Sequence, residues 1–182
     1  MATKNNRRIL VTRRILKESL LELMKEKPIT KISIKEICDL SEMSRSTFYM
    51  HYQDQFELLK DIEDEALEKT FETLGSADTS LNSVESIENF LRYVKENRGT
   101  FGVLLCQPDT EEFQRLILEK IGAHVKASIP GVYDSKKGSY LFTFVMHGSI
   151  DVLRTWIASD FDLEIPALAN LIFKACSSVT NL

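Results

Sequence analysis

The sequence predicts an all-α protein. Only seven Gly and four Pro interrupt its 182 residues. Apolar residues recur at three- and four-residue spacing along most of the chain, which is the period of an amphipathic helix. Three helix-capping signals lie in the first third, at Ser33, Ser44 and Asp54. Together these features predict about nine helices.

The first two predicted helices precede a short turn. Apolar residues at helical spacing between Thr12 and Lys27 predict an amphipathic helix that ends before Pro28. Ser33 and Glu36, three residues apart, form the pattern of a capping box, in which each residue bonds the other's backbone N–H. They predict a short second helix that ends near Leu40.

A third and a fourth helix follow the turn. Ser44 is placed to cap a third helix of little more than two turns, on whose inner face Phe48 and Tyr52 lie four residues apart. Asp54 is placed to cap the fourth helix, which runs into a loop rich in Gly, Ser, Asp and Asn at 74–83. The residues of the fourth helix that are predicted to face the core are Phe56, Leu59, Ile62 and Ala66.

Five more helices are predicted beyond Val84. Their segments are 84–99, 101–106, 110–127, 139–159 and 165–179. The last two carry apolar residues on more than one face, and such helices must be buried from two directions. A second copy of the chain would supply the second cover, giving a four-helix interface across a two-fold axis. The predicted interface residues are Leu153, Trp156 and Ile172.

Composition and charge restrict the class of protein. The N-terminus has no continuous apolar segment, and the longest uncharged run, "GSYLFTFVMHGSI", is too short to span a bilayer, so a cytoplasmic protein without membrane contact is expected. Cys38, Cys106 and Cys176 are far apart and are predicted to be buried, reduced thiols.

Positive charge is concentrated at the N-terminal end. Residues 1–55 hold 11 Lys or Arg against 7 Asp or Glu, whereas residues 56–182 hold 12 against 20. A basic cluster precedes the first acidic residue, and it fits either a polyanion partner or a solvated N-terminal arm. The cluster consists of Lys4, Arg7, Arg8, Arg13, Arg14 and Lys17.

The second and third helices, joined by a four-residue turn, fit a helix-turn-helix, whose second helix enters the DNA major groove. On that helix Arg45 can donate to guanine edges or phosphates, and Ser46 and Thr47 can reach bases or phosphates. Tyr49 and His51 can hold the DNA backbone from further along.

The segment "TRRILKESLLELMKEKPITKISIKEICDLSEMSRSTFYMHYQDQFELL" resembles the DNA-binding domain of TetR/AcrR-type transcriptional regulators over about the first third of the chain. The resemblance implies a DNA-binding domain at 1–68 and a helical ligand-binding and dimerisation domain at 69–182. It also implies that Ser33 and Lys35 meet DNA from the second helix. Ser44–Thr47 would lie nearest the bases, and Tyr49 and His51 would bind phosphate.

Two residues depart from the pattern of that family. Glu42 stands in the turn where the family usually has Gly, and Gln55 stands at the start of the fourth helix where it usually has a phosphate-binding Lys. Because backbone N–H groups and the helix dipole favour anions at a helix N-terminus, a phosphate could still bind there through Gln55 and the main chain.

The rest of the chain resembles the regulatory domain of the family more weakly, and "VMHGSIDVLRTWIASDF" resembles the dimer-forming segment of a subgroup. The resemblance implies a homodimeric, ligand-responsive regulator, a repressor by expectation, that binds a palindromic operator and a small-molecule effector. Aromatic residues could line the effector pocket, although core packing explains them as well. The candidates are Phe90, Tyr93, Phe113 and Phe144.

Other classes of function find less support. The sequence has no Gly-rich phosphate loop, no Ser-His-Asp order and no close carboxylate pair, so an enzyme is not expected. His124 and His147 have no acidic or Cys partner at metal-ligand spacing, so neither a metal nor a cofactor is expected. The remaining alternative is a helical co-regulator that has lost DNA affinity, and Glu42 and Gln55 favour it.

Overall fold

The computed structural model describes residues 4–74, 83–128 and 136–180. Within these ranges the chain forms nine α-helices and no strand, which confirms the predicted all-α fold. None of the helices in these ranges is both long enough and apolar enough to span a bilayer. The helices are α1 (Lys4–Met24), α2 (Ile34–Ser41), α3 (Arg45–Tyr49), α4 (Gln55–Leu74), α5 (Val84–Glu96), α6 (Arg98–Cys106), α7 (Glu111–Ser128), α8 (Lys136–Ala158) and α9 (Ile165–Thr180).

Contacts divide the chain into two compact units. The first unit comprises Met1–Ala66 together with Gln107–Asp109, and the second comprises Leu67–Cys106 and Thr110–Leu182. The predicted loops at 74–83 and 128–138 lie largely outside the described residues. That 1–68 binds DNA and 69–182 binds an effector stays a prediction.

The first unit is built around α1, which packs on α2, while α2 packs on α3. Its α1 begins at Lys4, eight residues before the predicted start, so the described part of the basic arm is helical. On α4, Leu58 is buried next to Leu59. Phe56 is 49% exposed, so the prediction that Phe56 faces the core was wrong. The fully buried residues of this unit include Leu16, Leu20, Ile37, Phe48 and Leu58.

A short segment between α6 and α7 also belongs to the first unit. The Asp109 carboxylate accepts a hydrogen bond from the backbone N–H of Ile29, with 2.8 Å between Oδ2 and N. Ile29 is buried and begins a 3-10 turn after Pro28. The N–H of Ile29 has no acceptor within the turn, because it lies at the turn's start, and the Asp109 carboxylate supplies one.

In the second unit α5 packs on α9, α6 on α8, and α8 on α9. The four apolar residues predicted to share one face of α5 are all buried, namely Ile87, Phe90, Leu91 and Val94. On α8, Val145 packs against Leu141, Phe142 and Cys176. The prediction of three buried thiols holds for Cys38, but Cys176 is only half-buried and Cys106, at the end of α6, is exposed.

Trp156 is part of the protomer core. Its side chain is 2% exposed, and its indole N–H donates to the carbonyl oxygen of Leu163 at 2.8 Å. Its ring meets that of Phe161 edge to face, with 4.7 Å between centroids. Leu153 is buried as well. These two side chains were expected at a dimer interface, but both are buried inside the protomer.

Ion pairs join α1 to α4 through Asp61. The Arg13 guanidinium lies 2.7 Å from Asp61 Oδ1, and Lys17 Nζ lies 2.8 Å from Asp61 Oδ2 and 2.6 Å from Glu65 Oε2. Burial raises the pKa of Asp61, but hydrogen bonds from Lys17, Tyr52 and Arg13 outweigh burial and lower this pKa to about 2. The ionised carboxylate is therefore the form that the fold stabilises.

The turn between α2 and α3 has a left-handed residue. Glu42 has φ 54° and ψ 31°, a conformation that costs an L-residue with a Cβ atom free energy and that glycine adopts readily. The backbone N–H of Met43 donates to the carbonyl oxygen of Cys38 at 3.0 Å, the six-to-one bond of a Schellman motif. The turn therefore has the geometry expected of a glycine, with Glu42 in that place.

The first prediction concerns Glu42. Glu42→Gly should raise the free energy of unfolding by a few tenths to about 1 kcal/mol, because the removal of left-handed strain exceeds the entropy that glycine adds to the unfolded chain. Urea unfolding at constant m-value measures this change. Glu42→Ala is the control, because it removes the same charge but keeps Cβ, and it should give no stabilisation. Equal effects of both variants would contradict the explanation.

The second prediction concerns Asp61. Because its pKa is lower in the folded chain than the roughly 3.9 of an unfolded Asp, its contribution to stability is present above about pH 4 and is lost as pH falls toward 2. Asp61→Asn should lower the free energy of unfolding by about 1 to 3 kcal/mol at pH 7. The difference from the wild type should narrow below pH 4. A difference that stays constant from pH 7 to pH 2 would show that the ion pairs contribute nothing.

Candidate nucleic-acid interface

The helix α3 is short and its start is fixed by a cap. Ser44 has an extended backbone, and its Oγ accepts a hydrogen bond from the N–H of Thr47 at 3.0 Å. The same hydroxyl lies 2.7 Å from Ser46 Oγ and 2.8 Å from Thr47 Oγ1. Five residues make the helix shorter than the two turns predicted. Ser44 therefore first holds the helix start, and any DNA contact comes in addition.

Three side chains of α3, together with Met50 directly after it, form what we call the outward face of α3. Arg45 and Tyr49 lie four residues apart, as do Ser46 and Met50, so each pair stacks on the same side of the chain. All four are exposed, Tyr49 at 58% and Met50 at 75%. Met50 was not among the predicted site residues, although its spacing from Ser46 was a visible signal.

Phe48 and Tyr52 hold α3 from the inside. Both are buried, as predicted, with 6.0 Å between their ring centroids. Phe48 also meets Tyr49 edge to face at 5.8 Å. The aromatic rings of this short segment thus separate into an inner pair and one exposed ring.

Thr47 and His51 lie apart from Arg45, Ser46 and Tyr49, on a groove that Met50 also borders. Both are half-buried, and they line an open groove of about 960 Å³ beside α3, between α1 and α4. The α1 wall of this groove includes Arg8 and Arg13. The α4 wall carries three carboxylates and one cation, namely Glu57, Asp61, Asp64 and Lys60.

On α2, the two predicted DNA contacts have partners within the protein. The Ser33 hydroxyl donates to Glu36 Oε2 at 2.8 Å and accepts from the Glu36 N–H, which confirms the capping box. Hydrogen bonds from Lys27 and then from Ser33 lower the pKa of Glu36 to about 2. Lys35 pairs with Asp39 at 2.6 Å, and both side chains are exposed. Such a surface pair is weak, so a phosphate can compete for Lys35.

The start of α4 is capped by side-chain carboxylates of the protein itself. Asp54 Oδ1 accepts hydrogen bonds from the N–H groups of Phe56 at 2.9 Å and Glu57 at 2.8 Å. The Glu57 carboxylate accepts from the N–H of Gln53. Two carboxylates of the protein thus compete with a phosphate for backbone N–H groups around this helix start. That a phosphate binds there through Gln55 and the main chain stays a prediction.

The basic cluster of α1 has two different uses. Arg13 and Lys17 bind Asp61 on α4, and Arg14 lies 3.8 Å from Glu18. Arg7 and Arg8 are exposed, and neither forms an ion pair with the described residues. Only part of the cluster is therefore available for a polyanion. The charge count alone could not show this division.

The predicted pocket residues do not share one environment. Phe90 and Phe113 are buried in the core of the second unit, and Tyr93 meets the Phe101 ring edge to face at 5.3 Å. Phe144 is 74% exposed on α8, so it cannot line an enclosed cavity of the protomer with the other three. Of the predicted interface residues, Ile172 is half-buried. Among the described residues, no group of three or more His, Cys, Asp or Glu side chains is placed to hold a metal ion.

Comparison with known proteins gives distant relatives. No family model matches the chain. A curated protein of Bacillus subtilis, the uncharacterized HTH-type transcriptional regulator YxbF, is 21% identical over 174 residues. The match covers 89% of this chain and 44% of YxbF, so the chain spans less than half of that relative's length.

Solved structures match over nearly the whole chain. A TetR transcriptional regulator from Streptococcus agalactiae is 21% identical with a TM-score of 0.68, covering 93% of this chain and 96% of that one. A TetR-like transcriptional regulator from a Rhodococcus species is 17% identical with a TM-score of 0.70, covering 92% and 94%. GusR from Salmonella enterica is 16% identical with a TM-score of 0.64, covering 95% and 97%. The chain therefore has the all-α fold of TetR-type transcriptional regulators.

Proposed function

We propose that the protein is a DNA-binding transcriptional regulator, a repressor that acts in the cytoplasm as a homodimer on a palindromic operator and responds to a small-molecule effector. The observation that carries the proposal is the outward face of α3, where Arg45, Ser46 and Tyr49 are exposed while Phe48 and Tyr52 anchor the helix from inside. The fold and the name of the Bacillus relative support the same class.

The residues of this surface have chemically distinct roles. Arg45 at the start of α3 can donate two hydrogen bonds to guanine, and Ser46 beside it can bond a base or a phosphate. Tyr49, one turn later, can donate to a phosphate, as can His51 from the groove. Arg7 and Arg8 add exposed positive charge from α1. Base contacts are therefore proposed at the start of α3 and phosphate contacts around it.

The dimer is proposed to form through exposed apolar residues of α8 and α9. Tyr140 and Phe144, four residues apart on α8, are 78% and 74% exposed, and Leu171 on α9 is exposed as well. Together with the half-buried Ile172 they replace Leu153 and Trp156 as the proposed contact residues. Two copies joined in this way would present two α3 helices to the two halves of a palindrome.

One observation favours the alternative of a co-regulator without DNA affinity. Asp54 and Glu57 place negative charge at the start of α4, where Gln55 supplies none of the positive charge that the family pattern has there. The same chain retains Arg45, Tyr49 and His51, so we place DNA binding first. A test of sequence-preferring binding at low salt separates the two functions.

Binding to DNA should depend steeply on salt. If Arg7, Arg8 and Lys35 of each subunit neutralise one phosphate each, about six per dimer, affinity should fall about 10³-fold between 50 and 200 mM salt. Arg45→Ala should cost about 1 to 3 kcal/mol on the preferred duplex and relax its specificity, whereas His51→Ala should weaken all duplexes alike. Fluorescence anisotropy measures both effects. Absence of any sequence preference at low salt would favour the co-regulator.

The dimer proposal predicts the effect of a charge on α8. Phe144→Glu should convert the dimer to monomer at micromolar concentration, because it would bury an unpaired carboxylate at the interface. Sedimentation velocity measures the mass. The matched control is Phe56→Glu, which changes an exposed Phe on α4 in the same way and should leave the mass unchanged. A wild-type protein that sediments as a monomer would refute the proposal.

A further inference from the structure

Tyr52 ends the segment that presents the outward face of α3, and its phenol group is bonded on two sides. The hydroxyl donates to Asp61 Oδ2 at 2.7 Å and accepts from Arg13 Nε at 3.1 Å. The Tyr52 side chain is 4% exposed, and the Arg13 guanidinium lies 5.7 Å from the centroid of its ring. One hydroxyl thus joins the end of the α3 segment to α1 and to α4.

Packing alone does not require a hydroxyl at this position. A phenylalanine would fill nearly the same volume, and a buried hydroxyl costs free energy unless it is hydrogen-bonded. Hydrogen bonds are directional, whereas apolar contacts are not, so the two bonds of Tyr52 restrict the orientation of the segment that carries it. A helix of five residues is too short to be stable alone and depends on such contacts.

The charges around Tyr52 are balanced within the protein. Asp61 binds both Arg13 and Lys17, and Lys17 also binds Glu65. Two cations that the charge pattern would assign to a polyanion are thereby neutralised. Burial and the hydrogen bond to Asp61 raise the pKa of Tyr52 above its usual value, so the phenol remains protonated and can donate.

We infer that Tyr52 is a positioning residue for DNA recognition: its hydroxyl, held between Arg13 and Asp61, fixes the orientation in which α3 presents Arg45 and Ser46 to base edges. The inference rests on the proposed function. Base contacts need one orientation of the helix, whereas contacts to phosphates tolerate small displacements because they carry no sequence information. Loss of the hydroxyl should therefore lower specific binding more than non-specific binding.

A pair of tyrosine variants tests this inference. Tyr52→Phe removes the buried hydroxyl, and Tyr49→Phe removes an exposed hydroxyl three residues away. Affinities are measured for a duplex that the wild type selects from a randomised pool and for a scrambled duplex of the same composition. Tyr52→Phe should reduce the ratio of specific to non-specific affinity about 5- to 10-fold, the effect of roughly one hydrogen bond. Tyr49→Phe should weaken both duplexes and leave the ratio within about 2-fold.

Affinities are corrected for the folded fraction, which thermal unfolding supplies. A purely structural role of the hydroxyl would lower Tm and leave the corrected ratio unchanged, and that result would overturn the inference. If Tyr52→Phe does not fold, Arg13→Lys replaces it, because Lys keeps the charge but lacks the fork that reaches Tyr52 and Asp61 together. The same fall in ratio is expected.

The proposed function can fail separately. If the wild type selects no sequence from the pool, the proposal of a DNA-binding regulator is overturned, and this inference with it. If the wild type selects a duplex and neither Tyr52→Phe nor Arg13→Lys lowers the ratio, the regulator stands and only the positioning role of Tyr52 is refuted.

Discussion

The geometry of the proposed DNA-binding surface depends on one carboxylate, that of Asp61. It forms ion pairs with Arg13 and Lys17 of α1, and it accepts a hydrogen bond from the hydroxyl of Tyr52, just after α3. Three parts of the first unit, α1, α3 and α4, therefore meet at a single side chain. Burial raises the pKa of this carboxylate, but the hydrogen bonds from Lys17, Tyr52 and Arg13 together outweigh burial, so the ionised form remains favourable.

This arrangement changes how the positive charge of the chain should be interpreted. A cation in an internal ion pair contributes little to attraction over long distances, because its field is cancelled by its partner. The exposed residues Arg7, Arg8 and Arg45 differ in this respect. The two groups have separate tasks, since paired cations fix the relative positions of helices and exposed cations supply the electrostatic attraction.

The sequence predicted the elements that local chemistry determines. Capping at Ser33 and Ser44 and the inner pair Phe48 and Tyr52 depend on residues close in the chain, and the structure has them as expected. The roles of Arg13 and Trp156 could not be predicted in this way, because their partners depend on tertiary packing. One signal was visible, since Arg13 and Lys17 lie four apart, as do Asp61 and Glu65, and two such pairs match across adjacent helices.

The hydrogen bond from Ile29 to Asp109 bears on how this protein can be divided into shorter fragments. A fragment that ends at Ala66 would contain every residue of the proposed DNA-binding surface but would lack Asp109, which lies beyond α6. The N–H of Ile29 would then lose its acceptor at the start of the 3-10 turn that leads into Ser33 and α2. The first unit is therefore discontinuous in sequence, and a fragment that is cut by length alone would lose one hydrogen bond of its framework.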